Sequence, residues 1–255
     1  MRNCIVLGCG RSGTSMVAGA LQGAGFFAGQ DLMPATPGNP KGYFESFAIE
    51  AINETLLFGV CPPRRKGLLG PFTRHRMGRA QRWLARVPLD APLPCSARLV
   101  ERIRRQVART PFAFKDPRFC YTLPAWRPHL PDTVFVCVFR DPRRTVHSIL
   151  KECREEPYLK DLPMDEPTAY EVWTLMYRHV LDRHSRLGDW LFLHYDQILY
   201  GDGLDRLDPF VEARVDRRFV EPALRRSAAE GHMPEDVARL YGALCEAAGW
   251  TQPNG

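Results

Sequence analysis

The sequence predicts an α/β fold in which helices flank a central parallel sheet. Three continuous apolar runs, at 4–7, 112–114 and 133–139, have the composition of buried parallel strands. Helix-like segments separate these runs, and this alternation favours parallel pairing through right-handed crossovers. A length of 255 residues suits one domain with a sizeable core. We therefore expect a single domain over residues 1–255, with an insertion at about 59–95 and a helical C-terminal part at about 203–250.

The first part of the chain begins with a strand, a turn and a helix. The apolar run at 4–7 enters a glycine-rich turn, and residues 15–21 continue as a helix. Glycine, proline and asparagine predict a loop over 28–43, and a broad apolar stripe predicts a helix over 44–58. The basic segment 59–95 is interrupted by prolines and shows only a hint of a short helix at Trp83 and Leu84.

The rest of the chain repeats the alternation of strands and helices. Leu99, Ile103 and Val107 lie on one face of an amphipathic helix predicted over 97–109. The other predicted elements, in chain order, are strands at 112–114 and 133–139, a helix at 143–153, a polar segment at 154–167 with the composition of a mobile lid, a helix at 168–187, a strand at 190–194, and helices at about 203–213 and 234–248.

Charge and cysteine usage narrow the class of protein. The net charge is +6 and arginine outnumbers lysine, which favours an anionic ligand. Nucleic acid is not the expected partner, because zinc-finger spacing, a helix-turn-helix signature and an aromatic RNA-binding motif are missing. The eight cysteines are scattered without a CxxC pair, as expected for free thiols in a reducing cytoplasm. We find no membrane-span pattern and no signal-peptide pattern, so we expect a cytoplasmic protein.

Residues 3–15, NCIVLGCGRSGTS, nearly match the Walker A pattern GxxxxGK[ST], with Gly8 and Gly13 at the required spacing. A glycine-rich turn between a strand and a helix directs backbone N–H groups and a helix N-terminus at an anion. The Walker lysine is missing, since Thr14 stands in its place. The turn therefore predicts a phosphate site for a ligand other than a nucleoside triphosphate, and a purely structural turn is the alternative.

A second anion site is predicted after the strand at 133–139. Arg140 follows the strand and Ser148 lies eight residues further on, in the next helix. An arginine and a hydroxyl so placed can hold one phosphate from two sides through charge-assisted hydrogen bonds. The carboxyl ends of parallel strands meet at one edge of a sheet, so we expect this pair to lie near the glycine-rich turn and the KDPR segment at 115–118. The alternative is an exposed arginine and an ordinary helical serine.

The glycine-rich turn and the R-x(7)-S segment together resemble the sulfotransferases that use 3′-phosphoadenylyl sulfate (PAPS). NPKGYFES at 39–46, FKDPR at 114–118 and HYDQIL at 194–199 are also similar to segments of the bacterial and carbohydrate-type branches. The resemblance covers nearly the whole chain and implies a P-loop NTPase-like three-layer sandwich. It implies PAPS as donor, PAP as product and no metal, because PAPS has no γ-phosphate that would require a Walker lysine or magnesium.

The resemblance also implies which residues bind the donor. The residues that match the 5′-phosphosulfate loop are Gly10, Arg11, Ser12, Gly13, Thr14 and Ser15. Arg140 and Ser148 match the pair that holds the 3′-phosphate, and Tyr195 matches a tyrosine near the adenine. Arg11 would stabilise the charge that develops on the bridging oxygen as the sulfuryl group departs. The C-terminal RKGxxG motif of the cytosolic branch is absent, and Arg225 and Arg226 are candidates for its role.

The predicted catalytic base is Glu45, because it lies where related bacterial members carry a candidate glutamate. The alternative is a glutamate stabilised by the dipole of a helix N-terminus. His147 and His194 are weaker candidates, because His147 should point away from its serine neighbour and a strand-end histidine is more often structural. Lys115 is assigned to the transferring sulfonate or to the acceptor.

The acceptor site is less well defined by the sequence. Tyr43 is predicted to line it, Arg118 to bind an anionic acceptor, and Asp116 to orient Lys115 or to cap the turn. Other aromatic candidates for the wall of the acceptor site are Phe44, Trp126, Tyr158, Tyr170, Trp173 and Tyr177. Of these, Tyr170, Trp173 and Tyr177 have helical spacing and fit a helix core better. The acceptor remains open between a sugar hydroxyl, a natural-product phenol and a lipid head group. The alternatives to an active O-sulfotransferase are a catalytically silent PAP-binding protein and, against the evidence of Thr14, a P-loop small-molecule kinase.

Overall fold

A four-stranded parallel sheet forms the centre of the computed structural model, which describes residues 1–36, 39, 41–61, 64–65, 74–75, 77–220 and 231–251. The strands, in chain order, are β1 (Asn3–Leu7), β2 (Arg64–Arg65), β3 (Arg74–His75), β4 (Ala113–Lys115), β5 (Thr133–Phe139) and β6 (Trp190–His194). The order in the central sheet is β4-β1-β5-β6, with all pairs parallel, whereas β2 and β3 form a separate antiparallel pair. The predicted parallel α/β sheet is confirmed. Because β1 and β5 are neighbours, the segments that follow them leave from the same edge of the sheet.

Helices pack on both faces of this sheet. In chain order they are α1 (Thr14–Gly23), α2 (Phe47–Phe58), α3 (Ala97–Val107), α4 (Phe119–Trp126), α5 (Pro142–Glu155), α6 (Glu166–Arg178), α7 (Tyr195–Tyr200), α8 (Gly203–Val211) and α9 (Glu235–Ala248). Within the described residues, none of these helices has the length and apolar composition needed to cross a membrane.

Two predicted helices have other bounds in the structure, and one observed helix, α4, has no predicted counterpart. The helix expected from residue 44 begins at Phe47, because Phe44 has a positive φ of 56° and cannot continue a right-handed helix. The helix expected over 168–187 ends at Arg178 and is followed by a π-helical turn, His179–His184. The sequence pattern does not predict α4, since Pro124 lies inside it and an interior proline argues against a helix.

Alternation of side chains along the strands produces two apolar cores. On one face, Val6 and Val136 belong to a core that includes residues of α1 and α8. On the other face, Leu7 and Cys137 belong to a larger core that includes residues of α2, α4 and α6. The three-layer arrangement is therefore confirmed, with the sheet in the middle.

The cysteines are thiols, as the sequence predicted. All eight lie in the described residues, and none of the eight is in a disulfide bond. Six of them are buried, and burial raises the pKa of Cys4, Cys120 and Cys137. These thiols pack as small apolar side chains.

His184 gives the fold a testable pH dependence. Its Nε2 donates to the Cys120 carbonyl oxygen at 3.0 Å, and burial lowers its pKa to about 4. The unfolded chain binds this proton at an ordinary histidine pKa of about 6.5, so the unfolding free energy should fall as the pH drops from about 6.5 towards 4. By pH 5 the difference amounts to about 2 kcal/mol. We expect His184→Gln to remove that part of the pH slope in urea denaturation between pH 7 and pH 5, and equal slopes for the two proteins would contradict a buried neutral histidine.

Candidate active site

The glycine loop, residues 8–15, joins β1 to α1 at the carboxyl edge of the sheet. Gly8, Arg11 and Gly13 have positive φ values of 147°, 72° and 92°. The left-handed region is uncommon for a residue with a side chain, so Arg11 is held in an unusual backbone conformation in the middle of the loop.

Two of the glycines are required by close approach of other groups. A Cβ atom at Gly8 would lie 2.1 Å from the Val138 carbonyl oxygen, and one at Gly13 would lie 2.4 Å from the ring of Tyr195. The loop therefore packs directly on the end of β5 and on the first residue of α7.

Tyr177 of α6 holds the glycine loop in place through hydrogen bonds of its hydroxyl group. Its hydroxyl accepts from the Cys9 backbone N–H at 3.1 Å, and lies 3.0 Å from Ser12 Oγ and 2.8 Å from the Val138 carbonyl oxygen. Tyr177 is fully buried, so it belongs to the core as expected and does not line an acceptor site. Its contact with the loop was not predicted.

The Arg11 side chain reaches α5. Its Nε donates to Ser148 Oγ at 3.1 Å and lies 3.0 Å from Glu152 Oε2. Ser148 and Glu152 are one helical turn apart, so the same face of α5 is directed at the loop. Glu152 is buried, and burial raises the pKa of its carboxyl group while Arg11 opposes that rise. The sequence does not predict this position of Glu152, because a lone glutamate on a helix usually lies in solvent.

Arg140 and Tyr195 meet at the ends of β5 and β6. The guanidinium carbon of Arg140, which is only 6% exposed, lies 4.2 Å from the centre of the Tyr195 ring. That ring also packs against Gly13 of the glycine loop. Tyr195 therefore contacts both predicted anion sites, and Ser148 is joined to the loop through Arg11.

Glu45 and Lys115 form a buried ion pair. Lys115 ends β4, Glu45 lies just before α2, and the Lys115 ammonium group donates to Glu45 Oε1. The charges of both groups act on the Glu152 carboxyl, which itself contacts Arg11. The predicted base, the predicted sulfonate contact and Arg11 thus all lie within electrostatic range of the Glu152 carboxyl.

Arg118 lies at the centre of four carboxylates. Its Nε donates to Glu54 Oε1 at 2.8 Å and its Nη1 to Asp116 Oδ1 at 3.1 Å. Its Nη2 lies 3.5 Å from Glu50 Oε1, and its Nη1 lies 3.8 Å from Glu45 Oε2. At 2% exposure this guanidinium is surrounded by protein. The geometry favours a positioning role for Arg118 over the predicted contact with an anionic acceptor.

Asp116 caps the turn that follows β4. Its carboxylate accepts from the Arg118 backbone N–H at 2.8 Å and from Asn53 Nδ2 at 3.0 Å. Of the two roles considered for Asp116, these contacts support the cap rather than the orientation of Lys115.

Tyr43 lies beside the start of α1. Ser15 Oγ donates to the Tyr43 carbonyl oxygen at 3.3 Å, and Asn39 Nδ2 donates to Ser15 Oγ at 3.2 Å. The Tyr43 hydroxyl is 2.8 Å from Thr36 Oγ1, and burial raises its pKa. Since Glu45 follows two residues later, Tyr43 connects the glycine loop to the predicted base.

Two further aromatic side chains lie close to the loop. The Trp83 ring packs against Gly10, and the charges of Glu45 and Glu152 act on the hydroxyl of Tyr158, which is partly exposed. Trp126 and Trp173 are fully buried and so cannot form an acceptor wall. Trp83 was missed as a site residue because the basic segment around it has no clear periodicity.

The two histidines that were alternative candidates for the base, His147 and His194, lie in environments unlike that of Glu45. His147 is exposed on α5. His194 Nδ1 accepts from the Asp196 backbone N–H at 3.1 Å, and its Nε2 lies 3.0 Å from the Tyr241 hydroxyl. Burial lowers the pKa of His194 to about 4. These contacts support the structural interpretation of His194.

Two other expectations bear on the site. Arg225 and Arg226, the candidates for the role of the missing C-terminal motif, lie outside the described residues. In the part of the chain that the structure describes, no group of three or more His, Cys, Asp or Glu side chains could hold a metal ion.

The sequence matches the model of a sulfotransferase family over residues 4–200. No curated protein matches the sequence. The chain is similar in structure to the sulfotransferase domain from the Synechococcus PCC 7002 olefin synthase, with a TM-score of 0.55, 16% identity, and coverage of 98% of this chain and 95% of that one. It is also similar to the sulfotransferase domain from the curacin biosynthetic pathway, with a TM-score of 0.56, 11% identity and 99% coverage of both chains. At these identities the two structures support the fold alone.

Proposed function

The chain belongs to the sulfotransferase family, and we propose that it transfers the sulfuryl group of PAPS to an acceptor hydroxyl and releases PAP. One observation carries the choice of donor: the Tyr195 ring contacts both the glycine loop and Arg140. Two anion sites joined by an aromatic ring suit an adenine nucleotide with phosphate on both its 5′ and 3′ sides. A nucleoside triphosphate would need only the first site.

We assign the 5′-phosphosulfate to residues 10–15. Thr14 and Ser15 begin α1, and the first N–H groups of a helix have no partner within it, so they are available to an anion. The Ser12 hydroxyl is buried against Tyr177 and acts by shaping the loop.

We assign the 3′-phosphate to Arg140 and Ser148. Arg140 supplies a permanent charge at the end of β5, and Ser148 supplies a hydroxyl from the face of α5 that is directed at the loop. Because Ser148 also accepts from Arg11, the two anion sites share one hydrogen-bond network.

The proposed reaction is a single in-line displacement at sulfur. The acceptor oxygen bonds to sulfur, the bond from sulfur to the bridging phosphate oxygen breaks, and the electron pair stays on that oxygen. Arg11 stabilises the resulting negative charge. Glu45 takes the proton of the acceptor hydroxyl. The products are a sulfate ester, PAP and a protonated Glu45 carboxyl.

Lys115 has two partners in this proposal. It pairs with Glu45, and the sulfonate oxygens of the donor compete for the same ammonium group. When Lys115 turns to the sulfonate, Glu45 loses a neighbouring cation and accepts a proton more readily. Donor binding would thereby prepare the base.

The proposal is tested first by thermal denaturation with PAP, with ATP and Mg²⁺, and without ligand. Stabilisation by PAP is the expected result, and stabilisation by ATP with Mg²⁺ alone would overturn the proposal in favour of a kinase. Consumption of PAPS with a panel of sugar, phenol and lipid-head-group acceptors then separates an active enzyme from a protein that binds PAP without turnover.

Arg140→Ala is expected to raise the dissociation constant of PAP about tenfold to a hundredfold, because one charge-assisted phosphate contact is lost. Isothermal titration calorimetry measures this change. Arg105→Ala is the control, since Arg105 pairs only with Glu101 on the exposed side of α3 in the contacts the structure gives. Unchanged PAP affinity in folded Arg140→Ala would contradict the assignment of the 3′-phosphate.

A further inference from the structure

The face of α5 that carries Ser148 also carries a second cation, Arg144, which is not part of the predicted pair of Arg140 and Ser148. Arg144 lies one turn before Ser148, and Ser148 lies one turn before Glu152, so all three share this face. Ser148 and Glu152 both contact Arg11, which shows that the face is directed at the glycine loop.

Arg144 has a buried donor that its surroundings do not use. Its Nη1 is inaccessible to solvent and has no hydrogen-bond partner among the described residues. The adjacent Arg143 is different, because its Nη2 donates to Asp141 Oδ2 at 2.7 Å. A buried N–H without a partner is unfavourable, so a phosphate oxygen that this group could reach would satisfy it.

Arg140 and Arg144 both act on the charge of His194. Burial is the largest cause of the lowered pKa of His194, and Arg140 and Arg144 lower it further, while Asp141 and Asp196 oppose them. His194 ends β6 and precedes Tyr195, whose ring lies under the Arg140 guanidinium. Arg140 and Arg144 therefore both lie within electrostatic range of the end of β6, and Arg144 shares its helix face with Ser148.

We propose that Arg144 is a third ligand of the 3′-phosphate, beside Arg140 and Ser148, in an inference that rests on the proposed function. A phosphate monoester carries a charge of about −1.5 to −2 at pH 7, which one arginine does not neutralise. Arg144, on α5, supplies the second cation. Recognition of the 3′-phosphate then does not depend on the C-terminal motif that this sequence lacks.

The test compares two nucleotides that differ only in the 3′-phosphate, PAP and AMP. Calorimetry gives their dissociation constants for the unmodified protein and for Arg144→Ala, Arg144→Lys and Arg143→Ala. We expect Arg144→Ala to weaken PAP about tenfold to a hundredfold and to leave AMP unchanged. Arg144→Lys, which keeps a cation and serves if the alanine variant folds poorly, should lose less. Arg143→Ala should leave both constants unchanged, because Asp141 already engages that side chain.

Two results would overturn the inference, and they differ from each other. If the unmodified protein prefers PAP but Arg144→Ala weakens PAP and AMP equally, or weakens neither, Arg144 does not bind the 3′-phosphate. If the unmodified protein binds AMP as tightly as PAP, the proposed function itself fails and this inference fails with it.

Discussion

Replacing Glu45 by glutamine should lower sulfuryl transfer about a hundredfold to ten-thousandfold, while PAP binding stays unchanged. Glutamine has nearly the same size and can still accept a hydrogen bond from Lys115, but it cannot take the proton of the acceptor hydroxyl. The loss should therefore fall on turnover at saturating PAPS. The measurements are the initial rate of PAP release with an accepted hydroxyl substrate and the dissociation constant of PAP.

Glu152 provides the matched control for this experiment. Glu152 is also a buried carboxyl; it contacts Arg11, and the charges of Glu45 and Lys115 both act on it. Because its direct partner is Arg11, Glu152→Gln should reduce turnover less than Glu45→Gln. If Glu152→Gln abolishes turnover and Glu45→Gln keeps a near-normal rate, Glu152 is the base and the assignment of Glu45 is wrong.

The sheet could be predicted because its signals are local. The apolar runs at 133–139 and 190–194 match β5 and β6 residue for residue. Continuous β-branched and aromatic residues of this length are typical of strands buried on both faces. The glycine loop could be predicted for the same reason. Gly8 and Gly13 both have positive φ, and both lie too close to other groups to carry a side chain.

Contacts between distant parts of the chain could not be predicted in this way. Arg11 meets Ser148 across 137 positions, and Ser12 meets Tyr177 across 165. No local pattern distinguishes a glutamate that faces Arg11 from one that faces solvent, so Glu152 was missed.

Arg118→Met should destabilise the folded protein by about 3–5 kcal/mol, because it removes one member of a buried ion network. Methionine is of similar length but leaves Glu50, Glu54 and Asp116 without the guanidinium that they share. Burial already raises the pKa of Glu50, and Arg118 opposes that rise. Without Arg118 the folded state binds protons more readily than the unfolded chain, so the loss of stability should be largest above pH 7 and should shrink towards pH 5. Urea denaturation at both pH values measures it.

Glu50→Gln distinguishes this role of Arg118 from acceptor binding. Four carboxylates surround Arg118, and two further cations, Arg82 and Lys115, pair with Glu54 and Glu45. Negative charge is therefore in excess in this cluster. Removing one carboxylate charge should leave the free energy of unfolding unchanged or slightly raised. If Arg118 instead bound the acceptor, Arg118→Met would fold with normal stability and would raise only the KM of the acceptor. The network predicts the opposite: stability and kcat fall together, because the same guanidinium lies 3.8 Å from Glu45 Oε2 and helps to hold the predicted base against Lys115.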